Sequence, residues 1–419
     1  MKRVLMVAYH FPPLAGSSGI QRTLRFVQHL PRFGWQPMVL TASPIAYERT
    51  SLDLHAEVPA EIIVHRAFAL DTARHLALGG RYWSALARPD RWISWKFAAV
   101  RAGLRMIREF KPEAIWSTFP IATAHSIAAD LHRRSGIPWI ADFRDPMVQQ
   151  GYPADPLTWQ CQERIESRVI HEAHYSMFSA PSAVRMYRER YPKQADRVLL
   201  LENGFDEETF SVAERSPNAD EPIHRDAVTL LHSGIVYPEE RDPTQLFVAL
   251  GRLLASGRIE PGRFKVRFRA AVHEDLLRRL TAEHRVESLV ELCEPTDYQS
   301  ALLEMLRADG LLVMQSAGCN EQIPAKIYEY LRARRPILCL SDPAGDTAAA
   351  LREAGVGAMA RLDSAQEIEH ALLTFEAGVR AKTIDLPEPA LVQAASRESR
   401  TQVLAQRLDE VSRSSHATS

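Results

Sequence analysis

Residues 316–330 run from Ser316 through Glu321, Pro324, Lys326 and Glu329 to Tyr330. Proline suits a first helical position, so a helix is predicted from Pro324, with free N–H groups and Lys326 on its first turn able to face a diphosphate. Glu321 then precedes the helix and Glu329 lies more than a turn inside it, roughly 10 Å away by helical rise and loop reach. That separation is too large for sharing one proton and suits gripping two ends of one elongated ligand. A second loop, Pro12-Pro13-Leu14-Ala15-Gly16-Ser17-Ser18-Gly19, enters a helix predicted over 20–33. Its glycines serve either a tight turn or the close approach of a phosphate or acceptor group to backbone N–H groups. Neither half of the chain carries G-x-G-x-x-G, which disfavours a dinucleotide-dependent oxidoreductase.

These loops need strands behind them. Short apolar runs at 4–8, 37–41, 62–65, 114–118, 138–143, 175–179 and 198–201 alternate with amphipathic stretches at 20–33, 95–110, 122–134, 158–172 and 182–191. After a polar, aperiodic stretch the alternation restarts, with strands at 228–232, 265–270, 289–292, 310–314 and 336–340. Helices at 244–254, 274–284, 298–307, 324–332 and 365–375 fill the gaps. That order is the signature of parallel sheets covered by crossover helices. We therefore expect an α/β protein of two Rossmann-like domains facing across a deep cleft: residues 1–211, a linker at 212–226 and a second domain at 227–385. A C-terminal helical segment at 386–419 is expected to return to the first domain.

The 419 residues suffice for two full cores, and 51 Lys plus Arg against 52 Asp plus Glu leave a formal charge of −1, so no global attraction to nucleic acid is expected. Cys161, Cys293, Cys319 and Cys339 are far apart with no C-x-x-C pair, which fits reduced thiols in a cytosolic enzyme. The apolar run at 4–8 is too short for a signal peptide, and no run is long enough to span a membrane. Asp-x-Asp, which could hold a divalent ion on a sugar diphosphate, does not occur; neither a metal nor a cofactor is expected.

The cluster Glu321-x7-Glu329, within Gln322-Ile323-Pro324-Ala325-Lys326-Ile327-Tyr328-Glu329, followed by Arg335-Pro336, resembles the donor-site helix of the retaining family-4 glycosyltransferases of GT-B fold. Leu201-Glu202-Asn203-Gly204-Phe205-Asp206, His232-Ser233-Gly234 with Arg241-Asp242-Pro243, and the opening His10-Phe11-Pro12-Pro13 are similar to further segments of that family. The resemblance covers nearly the whole chain. It implies a nucleotide-sugar donor as co-substrate, with Glu329 on the ribose, Glu321 on the transferred sugar, and Lys326 and Arg241 on the leaving diphosphate. Gly234, Pro324, Ala325 and Ile327 would complete the donor site, and Gly16 and Gly19 would lie near the diphosphate and acceptor. A glycan or lipid-linked acceptor, in polysaccharide or glycolipid assembly, follows from the same resemblance. A nucleotide-sugar-binding pseudoenzyme and a GT-B epimerase are the alternatives.

Two positions depart from the family pattern. Asp142-Phe143-Arg144-Asp145 places Arg144 where many members have a catalytic histidine, and Ile235 and Val236 follow Gly234 where many carry arginine. Arg144 either pairs with Asp142 or Asp145 or contacts sugar or acceptor. His125 reads as a packed core histidine before a base. Between 66 and 108, Arg66, Arg74, Arg81, Arg88, Arg91, Lys96, Arg101, Arg105 and Arg108 face only Asp71 and Asp90, with Trp83, Trp92 and Trp95 interleaved. Either these are solvated helix faces over buried tryptophans, or they rest on an anionic lipid surface at the cytoplasmic face of a membrane.

Overall fold

The computed structural model describes residues 1–16, 18–51 and 54–416 and separates into two compact units, residues 1–203 with 397–419 and residues 204–396. Ser17 of the glycine loop and 417–419 of the expected C-terminal helix lie outside the described residues.

In the first unit seven strands, β1 (Lys2–Val7), β2 (Trp35–Ala42), β3 (Ile63–Ala67), β4 (Ala114–Thr118), β5 (Trp139–Arg144), β6 (Tyr175–Phe178) and β7 (Val198–Leu200), form one sheet in the order β3-β2-β1-β4-β5-β6-β7. All pairings are parallel. The helices are α1 (Ser18–His29), α2 (Thr72–His75), α3 (Trp95–Phe110), α4 (Ala122–Ser135), α5 (Pro156–Glu172) and α6 (Pro181–Arg190). Central strands of such a sheet are covered on both faces, which explains why β1 and β4 read as near-continuous apolar runs. The strand order reverses between β1 and β4, and ligands of open α/β sheets bind at that point, beyond the strand carboxyl ends.

The second unit repeats the scheme with β8 (Val228–Ser233), β9 (Phe264–Arg269), β10 (Val290–Cys293), β11 (Gly310–Met314), β12 (Ile337–Leu340) and β13 (Met359–Ala360), ordered β10-β9-β8-β11-β12-β13 and again parallel. Its helices are α7 (Glu207–Glu214), α8 (Thr244–Ala255), α9 (Glu274–His284), α10 (Tyr298–Arg307), α11 (Lys326–Ala333), α12 (Asp346–Glu353), α13 (Ala365–Ala381) and α14 (Pro389–Ala394). The order reverses between β8 and β11. Leu230, Phe247, Val266, Phe268, Leu312 and Leu338 are among the residues that form its core.

The chain leaves the first unit after Asn203 and re-enters it at Arg397, where α15 (Arg397–His416) packs on α1. The polar residues 212–226 belong to the second unit, and α7 occupies the first of them. Asp206 caps α7 by accepting from Thr209 N, and Arg332 of α11 holds Glu207 at 2.6 Å and Glu214 at 2.7 Å, with Phe210 beneath its guanidinium. A helix of eight residues, polar outside and anchored by one distant arginine, leaves no periodic signal. The helix at 324–332 starts at Lys326 instead of Pro324. Ala325 is helical in its dihedrals, but Ile327 N bonds Pro324 O and Tyr328 N bonds Ala325 O, so the entry is a tighter i→i+3 turn.

Candidate functional site

In the first unit the loop after β1, the start of α1 and the end of β5 converge at the β1/β4 reversal. The β5 ladder shifts register between Asp142 and Arg144, and Arg144 adopts φ +65. An irregular strand end re-aims a side chain, and a non-glycine residue in the left-handed region persists only where its surroundings hold it. Here Ser179 holds it, its N and Oγ both donating to Arg144 O, at 2.7 and 2.8 Å. The guanidinium reaches Phe119 O through Nη1 at 3.3 Å, while its buried Nε has no hydrogen-bond partner among the described residues. A Cβ on Gly19 would come closer than 3.0 Å to both Arg144 Nη1 and His10 Nδ1. Gly19 is therefore the gap into which these two side chains fit. Gly16, at φ +85, supplies the turn before it.

Burial pushes the His10 imidazole down to about 3, helped by the Arg144 charge. The Arg144 guanidinium is itself lowered by burial, and burial raises the Asp145 carboxyl despite Arg144 beside it. Of the two pairings open to Arg144, Asp142 is taken by another residue. Arg22 of α1 grips it with Nε to Oδ2 at 2.8 Å and Nη2 to Oδ1 at 2.9 Å, and also donates to Leu201 O, Glu202 O and Asn203 Oδ1. The first unit thus closes an ion pair inside its core and leaves Arg144 next to the N-terminus of α1. His125 accepts or donates at 2.7 Å with Ser117 Oγ, is fully buried, and burial lowers it to about 3; it is a core histidine.

In the second unit Glu329 is buried on α11, where Tyr298 OH donates to Oε1 at 2.8 Å and Lys326 Nζ pairs with Oε2 at 2.9 Å. Lys326 keeps about a third of its side chain exposed. Arg241 lies over the Tyr237 ring and donates to Ile235 O at 2.7 Å, directly after Gly234, whose φ is +141. Arg241 and Lys326 both act on His232, which burial lowers to about 4 with these two charges adding to the effect. Arg241 follows β8 and the Lys326–Glu329 pair follows β11, the two strands between which the order reverses.

The loop that carries Glu321 is held by the residues around it. Gln315 Nε2 donates to Cys319 O at 2.7 Å and Gln322 O at 3.0 Å, Asn320 Nδ2 reaches Asp342 Oδ2 at 2.7 Å, and Asp346 N bonds Asn320 O. Ser316 N bonds Glu240 O, tying this loop to the one that carries Arg241. Pro324 and Ala325 are half-buried beside Lys326, whereas the Ile327 side chain is 1% exposed and packs into the core. A cavity of about 440 Å³ opens on the other flank of the loop, between Asp242, Thr244, Ser316, Asp342 and Arg361. It does not include Lys326 or Glu329.

Spacing did not mark Tyr298 as a functional candidate or Arg22 as the framework cation, and it brought in His10 only as part of the opening segment. Tyr298 opens a helix 31 residues away from Glu329 in sequence. For Arg22 a signal existed: Asp142 sits among Ile140, Ala141 and Phe143 in a strand, and a buried carboxylate needs a cation.

No protein-family model matches the chain, and no curated protein matches its sequence. Among solved structures it is similar over its whole length to sucrose-phosphate synthase from Thermosynechococcus elongatus, with 13% identity, a TM-score of 0.66 and 100% of both chains covered. HepE from Anabaena, solved in complex with UDP, matches at 12% identity and TM-score 0.62 over 100% of this chain and 99% of that one. An α,α-trehalose-6-phosphate synthase from Burkholderia multivorans matches at 11% and 0.64, over 100% and 98%.

This chain has the GT-B fold. Identities this low carry the architecture and leave the activity to be argued from the site. Among the described residues no helix is long and apolar enough to cross a membrane.

Proposed function

We propose that the protein is a glycosyltransferase that moves a sugar from a nucleotide diphosphate sugar to an acceptor hydroxyl. The observation that carries this reading is the Lys326–Glu329 pair at the carboxyl end of the second sheet, half open to solvent and preceded by a loop that Ser316 N, bonding Glu240 O, ties to the loop of Arg241. In that reading Glu329 turns from Lys326 to the ribose hydroxyls, which frees the ammonium for the diphosphate. Arg241 adds a second charge, and Glu321 accepts from hydroxyls of the transferred sugar. Gly234, Pro324 and Ala325 give backbone access, and the part assigned to Ile327 is confined to its backbone. HepE, whose fold this chain shares, has been solved with UDP and glucose and with UDP-glucose.

Fixed positive charge aimed at a developing leaving group needs no reorganisation during reaction, and removing one such group costs roughly 3 kcal/mol of barrier. We assign leaving-group charge to Lys326 and Arg241 and expect transfer without a metal. Retention, carried by the family resemblance, fits a front-face route. The bond between the anomeric carbon and the diphosphate oxygen breaks, the acceptor oxygen bonds the same face, and the departing phosphate takes the acceptor proton. No proton acceptor is then required of Arg144, which cannot act as a base; it contacts the acceptor in the first unit, with Gly16 and Gly19. The acceptor we favour is a glycan or lipid-linked intermediate at the cytoplasmic face of a membrane. Arg144 in place of histidine also favours a second reading, a protein that binds nucleotide sugar without turnover.

A thermal-shift panel of nucleotide sugars, followed by transfer assays with the stabilising donor in the presence and absence of EDTA, tests both readings. Stabilisation with turnover that survives EDTA is expected. Stabilisation without turnover selects the binding protein, and loss in EDTA with rescue by Mn²⁺ refutes the assigned phosphate site.

A further inference from the structure

The basic and tryptophan-rich stretch at 66–108 divides, in three dimensions, into a part used by the fold and a part that is not. Trp95 is fully buried, and Trp92 lies 4.7 Å from the Tyr9 ring and donates to Ala46 O. Five of its basic residues have partners: Arg66 donates to Pro12 O, Arg74 donates to Tyr47 O, Arg88 pairs with Asp155, Arg91 with Glu48 and Asp71, and Lys96 with Asp130. These residues explain themselves within the first unit. Arg88 and Arg91 are thus taken up by ion pairs within the first unit.

The remainder projects outward. The excursion between β3 and α3 is cinched at its base, where Leu70 N bonds Ser94 Oγ at 2.8 Å and Thr72 N bonds Arg91 O at 2.9 Å. Beyond that base, Leu78 and Arg81 pair across Gly79-Gly80 in both directions, at 2.8 and 3.1 Å, so the tip is an ordered turn. This tip holds its apolar side chains in water: Leu78 is 88% exposed and Trp83 81%, with Leu76, Tyr82 and Leu86 also exposed. Phe97, one turn into α3 from the base, is 80% exposed. Arg101, Arg105 and Arg108 follow it on the same helix face, all exposed and without an ion pair among the described residues. The Arg81 side chain on the tip is likewise exposed, with no ion pair among the described residues. Between 72 and 108 the one acidic residue is Asp90, whose carboxylate is turned inward onto Thr123 N and Oγ1.

We propose that the tip 76–87 inserts into the interfacial zone of an anionic lipid bilayer, with Phe97, Arg101, Arg105 and Arg108 of α3 against the headgroups. Large apolar side chains held out on a built turn require a partner that buries them. Tryptophan and tyrosine favour the bilayer interface, where ring and polar edge are both satisfied. The adjoining face carries Arg101, Arg105 and Arg108 with Glu109 as the exposed acid at its far end, a net positive charge that matches anionic headgroups. The proposal deepens the reading of a membrane-linked acceptor and names the residues that bring the protein to it.

Co-sedimentation of the full chain with phosphatidylcholine vesicles, and with vesicles containing phosphatidylglycerol, tests it. We expect binding to the anionic vesicles alone, weakened by salt, and lowered about 10-fold or more both by Leu78→Ser with Trp83→Ser and by the triple charge reversal R101E, R105E and R108E. Both sets of substitutions are on the surface, so unchanged thermal unfolding should accompany the loss. Equal binding to both vesicle types, no binding to either, or wild-type binding by the Leu78/Trp83 variant overturns the proposal. A concentration-dependent dimer that the Leu78/Trp83 variant abolishes overturns it too, by giving the tip to a second copy. Nucleotide-sugar binding measured without vesicles keeps the two readings apart: its presence with failed docking leaves transfer standing, and its absence with successful docking leaves only the surface.

Discussion

The Arg22–Asp142 pair of the first unit and the Lys326–Glu329 pair of the second sit at the carboxyl ends of their sheets and differ in access to water. Arg22 is 5% exposed and Asp142 not at all, and every donor of the guanidinium that bonds Asp142 or the 201–203 segment is within 3.1 Å of its acceptor. In the second pair only the carboxylate is buried, and the lysine is a third exposed. A closed pair has no free valence to offer a ligand, whereas a half-open pair can exchange one partner for a substrate group. The comparison assigns the first pair to the framework and the second to binding, and it can be broken at several places.

The largest effect is expected at Asp142→Ala. Removing one member of a buried pair leaves the other as an uncompensated charge, at a cost of about 3 to 5 kcal/mol. Urea unfolding should report it, and a loss below about 1 kcal/mol would place Arg22–Asp142 outside the framework. Lys326→Ala and Arg241→Ala should do the reverse, each lowering stability far less than Asp142→Ala, since Tyr298 stays on Glu329, and lowering turnover about 100-fold or more. Should either variant unfold early with normal specific activity, the contrast between the two pairs fails.

An intermediate effect concerns pH. His125 is held down to about 3 by burial against an ordinary 6.5, so the unfolded chain takes the proton first. Its contribution to stability is complete above about pH 6.5 and falls as pH drops toward 3, by about 2 kcal/mol at pH 5. His125→Gln should remove that slope, visible as converging wild-type and variant unfolding midpoints between pH 7 and 5; parallel curves would mean the imidazole is not enclosed. The smallest effect belongs to Tyr298→Phe. Glu329 keeps Lys326 after this change, so nucleotide affinity should weaken about 5-fold with turnover at saturation within about twofold. A large fall in turnover instead would move Tyr298 into the chemistry.

Much of the architecture was legible because buried parallel strands must be apolar along their length: the runs at 114–118 and 310–314 coincide with β4 and β11, and the helices at 95–110, 274–284 and 298–307 with α3, α9 and α10. Local patterns missed α7, whose hold on α11 runs through Arg332 more than a hundred residues later, and β13, two residues long.

The amino-acid order by itself determined that Glu321, Lys326 and Glu329 share one loop and helix, since their separation is short and helical rise is fixed. It also determined that two α/β sheets would form, because apolar periodicity is a local property of the chain. Which charges remain available was decided only by the tertiary structure. Arg22 and Asp142 are 120 residues apart, Tyr298 and Glu329 are 31 apart, and no spacing rule pairs them. The same holds for the arginines at 66–108, which look alike in the sequence. Arg88 and Arg91 find carboxylates, while Arg101, Arg105 and Arg108 find none among the described residues. An ion pair depends on distance in space, and the strand order of the sheet sets that distance.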